Sequence, residues 1–427
     1  MKSITHAVPW VLCLVASLAS TVVVAVSQST QAEPTSNLGI TGPLAASTAS
    51  TTSADTAQML ETFRKKFDFP ALAVVVVKDG KICDRAAVGV RKLGDPTPVT
   101  TNDLWQINSC TKSMTATLAA MFIEEGKLRW DTTIAQVFPE LTGKMNKQYE
   151  NVTVEQLLTH RGGVPNRPPV DAIKRAFEAH GHVPEELRPV ALARFGTFDF
   201  SEKPTRRTPV EQRREFIEAV LAQPPQATPG TQWIYSNQGY AIIGAMLDKI
   251  AGKSWEDLIA EKLFKPLHMN TAGFGVPGAI GKVEQPWGHT VIAGTVKPVQ
   301  YDNPPEIAPA GAVLCSLDDL ASFISAHLQG ERNGGLLKPE TFRKLHTSPN
   351  GSNYACGWIC ENHDWAGGRT LYHGGGNMWK MIMWLAPAKN FSVVVVTNFD
   401  RPGNASAKTE DECNEVADAL IKKWLPE

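Results

Sequence analysis

The sequence predicts an α+β protein: one antiparallel sheet built from both termini and flanked by helices, with a helical domain inserted between the two ends. Two observations predict it. Strand-like, β-branched runs fall near residues 71–90 and again over 370–397, and the stretch between them is dominated by segments of helical period. The 427 residues suffice to bury a large core, and no internal repeat divides them. A formal net charge of −1 gives no field for nucleic acid or an acidic surface.

At the N-terminus, Lys2 precedes an apolar run from Ala7 to Val26, broken only by Pro9, Ser17, Ser20 and Thr21. This reads as a secretory signal over residues 1–27, cleaved after Ser27 or near Ala32, and so as an exported, periplasmic or extracellular protein. An uncleaved membrane anchor is the rival reading. Cys13 follows Leu12, where a lipoprotein signal wants a small residue, so no lipid anchor is expected. Residues 28–55 are rich in Ser, Thr, Ala and Pro and read as a disordered tether.

A short helix is expected over about 54–67, with Leu60, Phe63 and Phe67 on one face. The run Ala71–Val77 ends at Asp79-Gly80, a strong hairpin signal, and 82–90 forms the return strand. From Thr111 to Glu125, Met114, Leu118, Met121 and Phe122 follow helical spacing until Gly126. Thr153-Val154-Glu155-Gln156 is a capping box opening a short helix to His160. Residues 164–210, rich in Pro and Arg, read as an insertion or lid with one helix near 170–180. Helices are expected over 210–222, 240–251 and, capped by Ser316, to about 328. Strands follow at 370–373, 381–385 and 391–397, and a last helix at 410–424.

Besides Cys13 there are six cysteines: Cys83, Cys110, Cys315, Cys356, Cys360 and Cys413. An even count in an exported chain permits disulfides without requiring them, and buried small hydrophobes is the plainer reading. Cys356 and Cys360 lack the paired partners of a zinc site, and His180-Gly181-His182 reads as loop.

One tetrad carries chemistry: Ser109-Cys110-Thr111-Lys112, the sole Ser-x-x-Lys of the chain, at the start of an expected helix. Residues three apart on a helix share a face, so the amine can take the hydroxyl proton that keeps serine a poor nucleophile. Cys110, beside it, is read as packing behind the helix. Downstream, Tyr235-Ser236-Asn237 follows Pro229-Gly230-Thr231 and precedes a helix. Tyr149-Glu150-Asn151 and Tyr301-Asp302-Asn303 share the Tyr-x-Asn pattern but lack that approach. His373-Gly374-Gly375-Gly376 opens a C-terminal strand. It matches the HGGG motif of α/β-hydrolases, but that fold also needs Gly-x-Ser-x-Gly, which is absent.

In this order the motifs resemble those of the serine β-lactamase and penicillin-binding protein superfamily: Ser-x-x-Lys, then Tyr-x-Asn, then Lys-Thr-Gly or His-x-Gly. The resemblance extends to 157–163 (Leu-Leu-Thr-His-Arg-Gly-Gly), 229–237, Pro266-Leu267-His268-Met269, Pro309-Ala310-Gly311 and Thr397-Asn398, and runs from about 56 to 425. It is strongest to the branch shared by class C β-lactamases, D-alanyl-D-alanine peptidases, D-aminopeptidases and family VIII esterases. It implies a β-lactamase/transpeptidase-like fold over 56–427, with an α/β part over about 56–100 and 285–427 and a helical part over about 101–284. It implies Ser109 as nucleophile, Lys112 as proton acceptor and Tyr235 as proton shuttle, with Asn237, His373, Gly375 and Gly376 binding substrate. The oxyanion hole would be the amides of Ser109 and Gly376.

The implied activity is hydrolysis of an ester, amide or β-lactam through an acyl-serine, without metal or cofactor. The partner is a small molecule or short peptide, cell-wall derived in one reading, with no nucleic acid and with membrane only if the leader stays attached. Where many lactamases carry Lys-Thr-Gly, this chain has His-Gly-Gly. A permanent charge and a hydroxyl are absent, so esters and amides rank ahead of β-lactams. A non-catalytic penicillin-binding or peptidoglycan-sensing protein of the same fold is the alternative.

Overall fold

The structure of the protein, a computed structural model, describes residues 54–169, 207–300, 302–349 and 351–426. The expected leader, nearly all of the tether, the helix near 170–180 and the His180-Gly181-His182 loop lie outside the described residues.

Eleven strands are described: β1 (Ala71–Lys78), β2 (Lys81–Gly89), β3 (Leu104–Gln106), β4 (Gly273–Phe274), β5 (Gly288–Ile292), β6 (Thr295–Val299), β7 (Val313–Ser316), β8 (Ile359–His363), β9 (Gly368–Asn377), β10 (Trp379–Ala386) and β11 (Phe391–Thr397). The principal helices are α1 (Ala54–Phe67), α2 (Thr111–Glu124), α3 (Val154–Leu158), α4 (Pro209–Leu221), α5 (Asn237–Ala251), α6 (Leu317–Asn333) and α7 (Ser406–Trp424).

The main sheet has the order β2-β1-β11-β10-β9-β8. The first and last strands of the chain pair antiparallel, from Leu72 opposite Thr397 to Lys78 opposite Phe391. Asp79 and Gly80 form the two-residue turn of the first hairpin with φ of 52° and 73°. Positive φ at both positions suits the twist of the flanking strands, and Asp-Gly supplies it at low cost.

Strand alternation divides the interior in two. Ala71, Ala73, Val75 and Val77 of β1 join a core with α2, α5 and α6, while Leu72, Val74 and Val76 join a second core under α1 and α7. Each buried valine contributes about 1.5–3 kcal/mol, so helices on both faces are needed to use this run.

Helix α2 is buried well beyond Met114, Leu118, Met121 and Phe122, whose spacing predicts it. Every residue from Thr111 to Phe122 is buried, so it is the central helix of the molecule. Its hydroxyls obscured this in the sequence, and they are satisfied inside. Thr115 Oγ1 donates to the Pro309 carbonyl at 2.7 Å, Thr117 Oγ1 to that of Ser113 at 2.8 Å, and Ser113 Oγ to that of Cys110 at 2.7 Å. The capping box at α3 is present in both directions, with Gln156 N donating to Thr153 Oγ1 and Thr153 N to Gln156 Oε1. Arg213 of α4, wholly buried, binds Asp248 of α5 at 2.8 Å and Glu256 at 2.8 Å, tying the helical region together. The six cysteines among the described residues are free thiols.

Candidate active site

Ser109 sits in a 3-10 turn, Asn108–Cys110, that leads straight into α2. Asn108 enters the turn with φ of 47°, a left-handed conformation that Asn tolerates better than most side chains. Its side-chain amide donates to the Trp379 carbonyl of β10 at 3.1 Å, so the turn is fastened to the sheet. Cys110 is buried behind it, its thiol 3.6 Å from the His373 carbonyl. Burial pushes that thiol far above its usual range, which makes it a poor thiolate.

Lys112, one turn on, is fully buried. Its Nζ lies 3.1 Å from Ser109 Oγ, 2.7 Å from Asn237 Oδ1 and 2.8 Å from the Ala310 carbonyl. It also stands 4.7 Å from the ring centre of Tyr235. Asn237 opens α5, whose N-cap is Ser236. The Tyr-Ser-Asn spacing thereby delivers Asn237 to the lysine and Tyr235 to the half-buried edge of the cleft.

The third motif lies on β9. Strand β8 pairs with β9 only as far as Tyr372, so His373–Asn377 forms an edge facing the serine turn. A Cβ on Gly375 would lie 2.9 Å from the Ser109 amide nitrogen and closer still to the Ile107 carbonyl, so only glycine lets strand and turn meet. Gly376, the next residue, is exposed.

His373 sits deeper than its motif suggests. It is fully buried, with Nδ1 2.7 Å from the Gly374 carbonyl and Nε2 3.1 Å from the Tyr354 hydroxyl. The carbonyl can only accept, so Nδ1 carries the proton and Nε2 accepts from Tyr354. Burial, with Lys112 adding, lowers its pKa to about 3. Both ring nitrogens are engaged within the protein, and neither remains to meet a substrate.

Sequence reading missed several residues here. His160, quoted only as part of a motif, is fully buried amid aromatic rings, its centre 4.5 Å from Tyr235 and 4.6 Å from Tyr354. Its Nδ1 accepts the Ser236 amide at 3.2 Å, and burial, then Lys112 and His373, holds it neutral. Tyr354 belongs to no motif. Ala310 contributes only its carbonyl, which no side-chain pattern reveals. Tyr301-Asp302-Asn303, set aside as a chance match, still brings Asn303 to the rim. There its amide donates to the Gly311 carbonyl at 2.5 Å, and Asn377 Nδ2 reaches its Oδ1 at 3.3 Å.

A serine, a buried lysine, a tyrosine and a glycine-lined strand edge, held between a sheet and a helical region, define a protein of the β-lactamase and penicillin-binding class. The chain belongs to the Beta-lactamase family, whose model matches residues 56–414. Among curated relatives, it is 21% identical over 360 residues to "Protein flp" of Staphylococcus aureus (strain NCTC 8325 / PS 47), covering 81% of this chain and 64% of that protein. It is 26% identical over 274 residues to "Penicillin-binding protein 4" of Amycolatopsis lactamdurans, covering 64% and 62%. The chain thus spans less than two thirds of those relatives' length. Solved structures of the same fold include a D-amino acid amidase from Ochrobactrum anthropi SV3, with TM-score 0.66, 18% identity, and 86% and 99% of the two chains covered. Another is the octameric penicillin-binding protein homologue from Pyrococcus abyssi, with TM-score 0.64, 22% identity, and 87% and 79% covered.

Proposed function

We propose that this protein is a serine hydrolase that cleaves an ester or amide bond through an acyl-Ser109 intermediate. The observation that carries the reading is the placement of Lys112 Nζ, 3.1 Å from Ser109 Oγ and held by Asn237 and Ala310. Two of these neighbours can only accept. A neutral amine gives them its two N–H bonds and turns its lone pair to the serine hydroxyl, while an ammonium gives a third N–H back to Ser109. One geometry therefore serves both protonation states.

In the proposed reaction Ser109 Oγ attacks the substrate carbonyl carbon while its proton passes to Lys112. The carbonyl oxygen takes up negative charge against the amides of Ser109 and Gly376. The leaving group departs with a proton delivered through Tyr235, and the acyl group stays on Ser109. Water then attacks the ester, returning a proton to Ser109 and releasing the acid.

His373 acts from behind, holding Tyr354 and the strand edge. Because it is neutral, the third motif offers no fixed cation for a substrate carboxylate. This supports short-chain esters and amides first, D-amino-acid peptides of cell-wall type second and β-lactams third. An exported location fits cell-wall peptides.

The test is mass spectrometry after incubation with a fluorophosphonate and a labelled penicillin. An adduct on Ser109, lost in Ser109→Ala, is expected. Folded protein that forms no adduct with either probe would point instead to a binding protein. A nitrocefin rate far above p-nitrophenyl ester and D-alanyl peptide rates would overturn the substrate order.

A further inference from the structure

Behind the glycines of β9 lies a charged cluster that the proposed chemistry does not use. Lys380 of β10 stands cross-strand from Gly376. The point where a Cβ would sit on Gly376 is 2.8 Å from Lys380 Nζ and 2.5 Å from Asp400 Oδ2. The matching point on Gly374 is 3.1 Å from Glu410 Oε1 and from the Tyr372 hydroxyl. The ammonium donates to Ser406 Oγ at 2.6 Å, with Glu410 Oε2 at 3.4 Å and Asp400 Oδ1 at 3.8 Å. Ser406 in turn donates to Asp400 at 2.9 Å, and Tyr372 to Glu410. Lys380 and Asp400 are only 3% and 4% exposed.

These groups come from four places in the chain: β9, β10, the turn after β11, and α7. Facing Asp400 are Lys380 from β10 and Ser406, Thr409 and Glu410 from α7, with Cys413 behind. Burial pushes Asp400 up to about 6, with Lys380 and Ser406 pulling the other way. Asp400 and Glu410 more than offset the burial of Lys380 and keep it an ammonium.

A buried charge acts strongly on its surroundings because no water screens it. The backbone that this ammonium crosses is that of Gly376, whose amide is the second oxyanion donor of the proposed reaction. We infer that Lys380 is a positioning residue for that donor: it braces Gly376 from behind and raises the potential at its amide, and Glu410 and Asp400 together set how much of the charge is cancelled. The inference rests on the acyl-Ser109 reading. It also gives residue 376 a reason to be glycine beyond close approach to substrate, since a side chain there would push the Lys380 ammonium or the Asp400 carboxylate aside.

The test compares kcat and KM for p-nitrophenyl butyrate across the full-length wild type, Lys380→Met, Asp400→Asn and Ser109→Ala, with fluorophosphonate labelling of each. Lys380→Met is expected to lose ten- to a hundredfold in kcat with KM within twofold, and still to label at Ser109. Asp400→Asn keeps an acceptor for Ser406 and removes one of the two countercharges, leaving Glu410 at 3.4 Å. Its kcat is expected above wild type above pH 6, converging with wild type at pH 5, where Asp400 is itself protonated; identity with wild type at every pH overturns the inference. Wild-type kcat in Lys380→Met overturns the inference. So does an equal fall in both variants at every pH, which marks a merely structural cluster. If Lys380→Met does not fold, the pH comparison of Asp400→Asn with wild type decides alone. The underlying reading fails separately, if Ser109→Ala still hydrolyses the ester.

Discussion

Tyr354 donates its hydroxyl proton to His373 Nε2 across 3.1 Å, in the fully buried layer behind the β9 edge that faces Ser109. In this direction the bond requires a neutral imidazole, because an imidazolium has no lone pair to accept it. The third motif of the site is thus a structural hydrogen-bond relay, and its charge state is coupled to the fold.

That coupling predicts acid sensitivity. The folded pKa of His373 is about 3, and the unfolded value is near 6.5. The unfolded chain binds the proton first, so the stabilisation is complete above about pH 6.5 and is lost as pH falls towards 3. His160 and His327, lowered by burial, act in the same direction. The melting temperature of wild type should fall more steeply between pH 7 and 4.5 than that of His373→Gln. Parallel curves would remove His373 from the account.

Lys112→Ala should lower the fluorophosphonate labelling rate of Ser109 by about 10²–10⁴-fold, the range of general base catalysis. Lys112→Arg should not rescue it, since a guanidinium stays charged and cannot take a proton. Recovery in the arginine variant would mean that charge alone suffices.

Gly375→Ala places a methyl group against the Ser109 amide and the Ile107 carbonyl. Both obstacles are backbone, so the strand edge must move away from the serine. Ester hydrolysis is expected to fall at least a hundredfold, by roughly 2.7 kcal/mol or more, while KM changes little. Near-normal kcat would show that the edge is not held against the turn.

Arg213→Ala should destabilise the protein by about 3–5 kcal/mol, since removing one partner strands buried carboxylates. Denaturant unfolding measures this directly. Asp248, already raised by burial, would rise further once the Arg213 charge that pulls it down is gone.

Much of the fold was legible because it is local. Asp79-Gly80, the Thr153–Gln156 box and the Ser316 cap are short-range signals, and each stands where its chemistry places it. The site was legible where a motif fixes spacing, as in Ser109 to Lys112, or places a residue on a helix start, as with Asn237. What stayed hidden arises from packing. Nothing in the pattern of α2 tells that its threonines face inwards, since a buried hydroxyl bonded to a carbonyl one turn back looks like an exposed one. The carbonyl of Ala310 and the left-handed Asn108 are backbone features, which carry no side-chain signature. Tyr354 and Lys380 act through partners far away in sequence.

The pairing of β1 with β11 also bears on how the molecule is made. The first hairpin emerges early, yet the neighbour that covers Leu72–Lys78 is complete only when residues 391–397 have been synthesised. Until then, an apolar strand edge stays open to other chains, an arrangement prone to misassembly. Folding should therefore be slow and dominated by distant contacts. Refolding yield should drop sharply with protein concentration, and a charged substitution at Val75 should abolish the fold rather than rescue it, because the same strand is needed, buried on both faces, in the finished molecule.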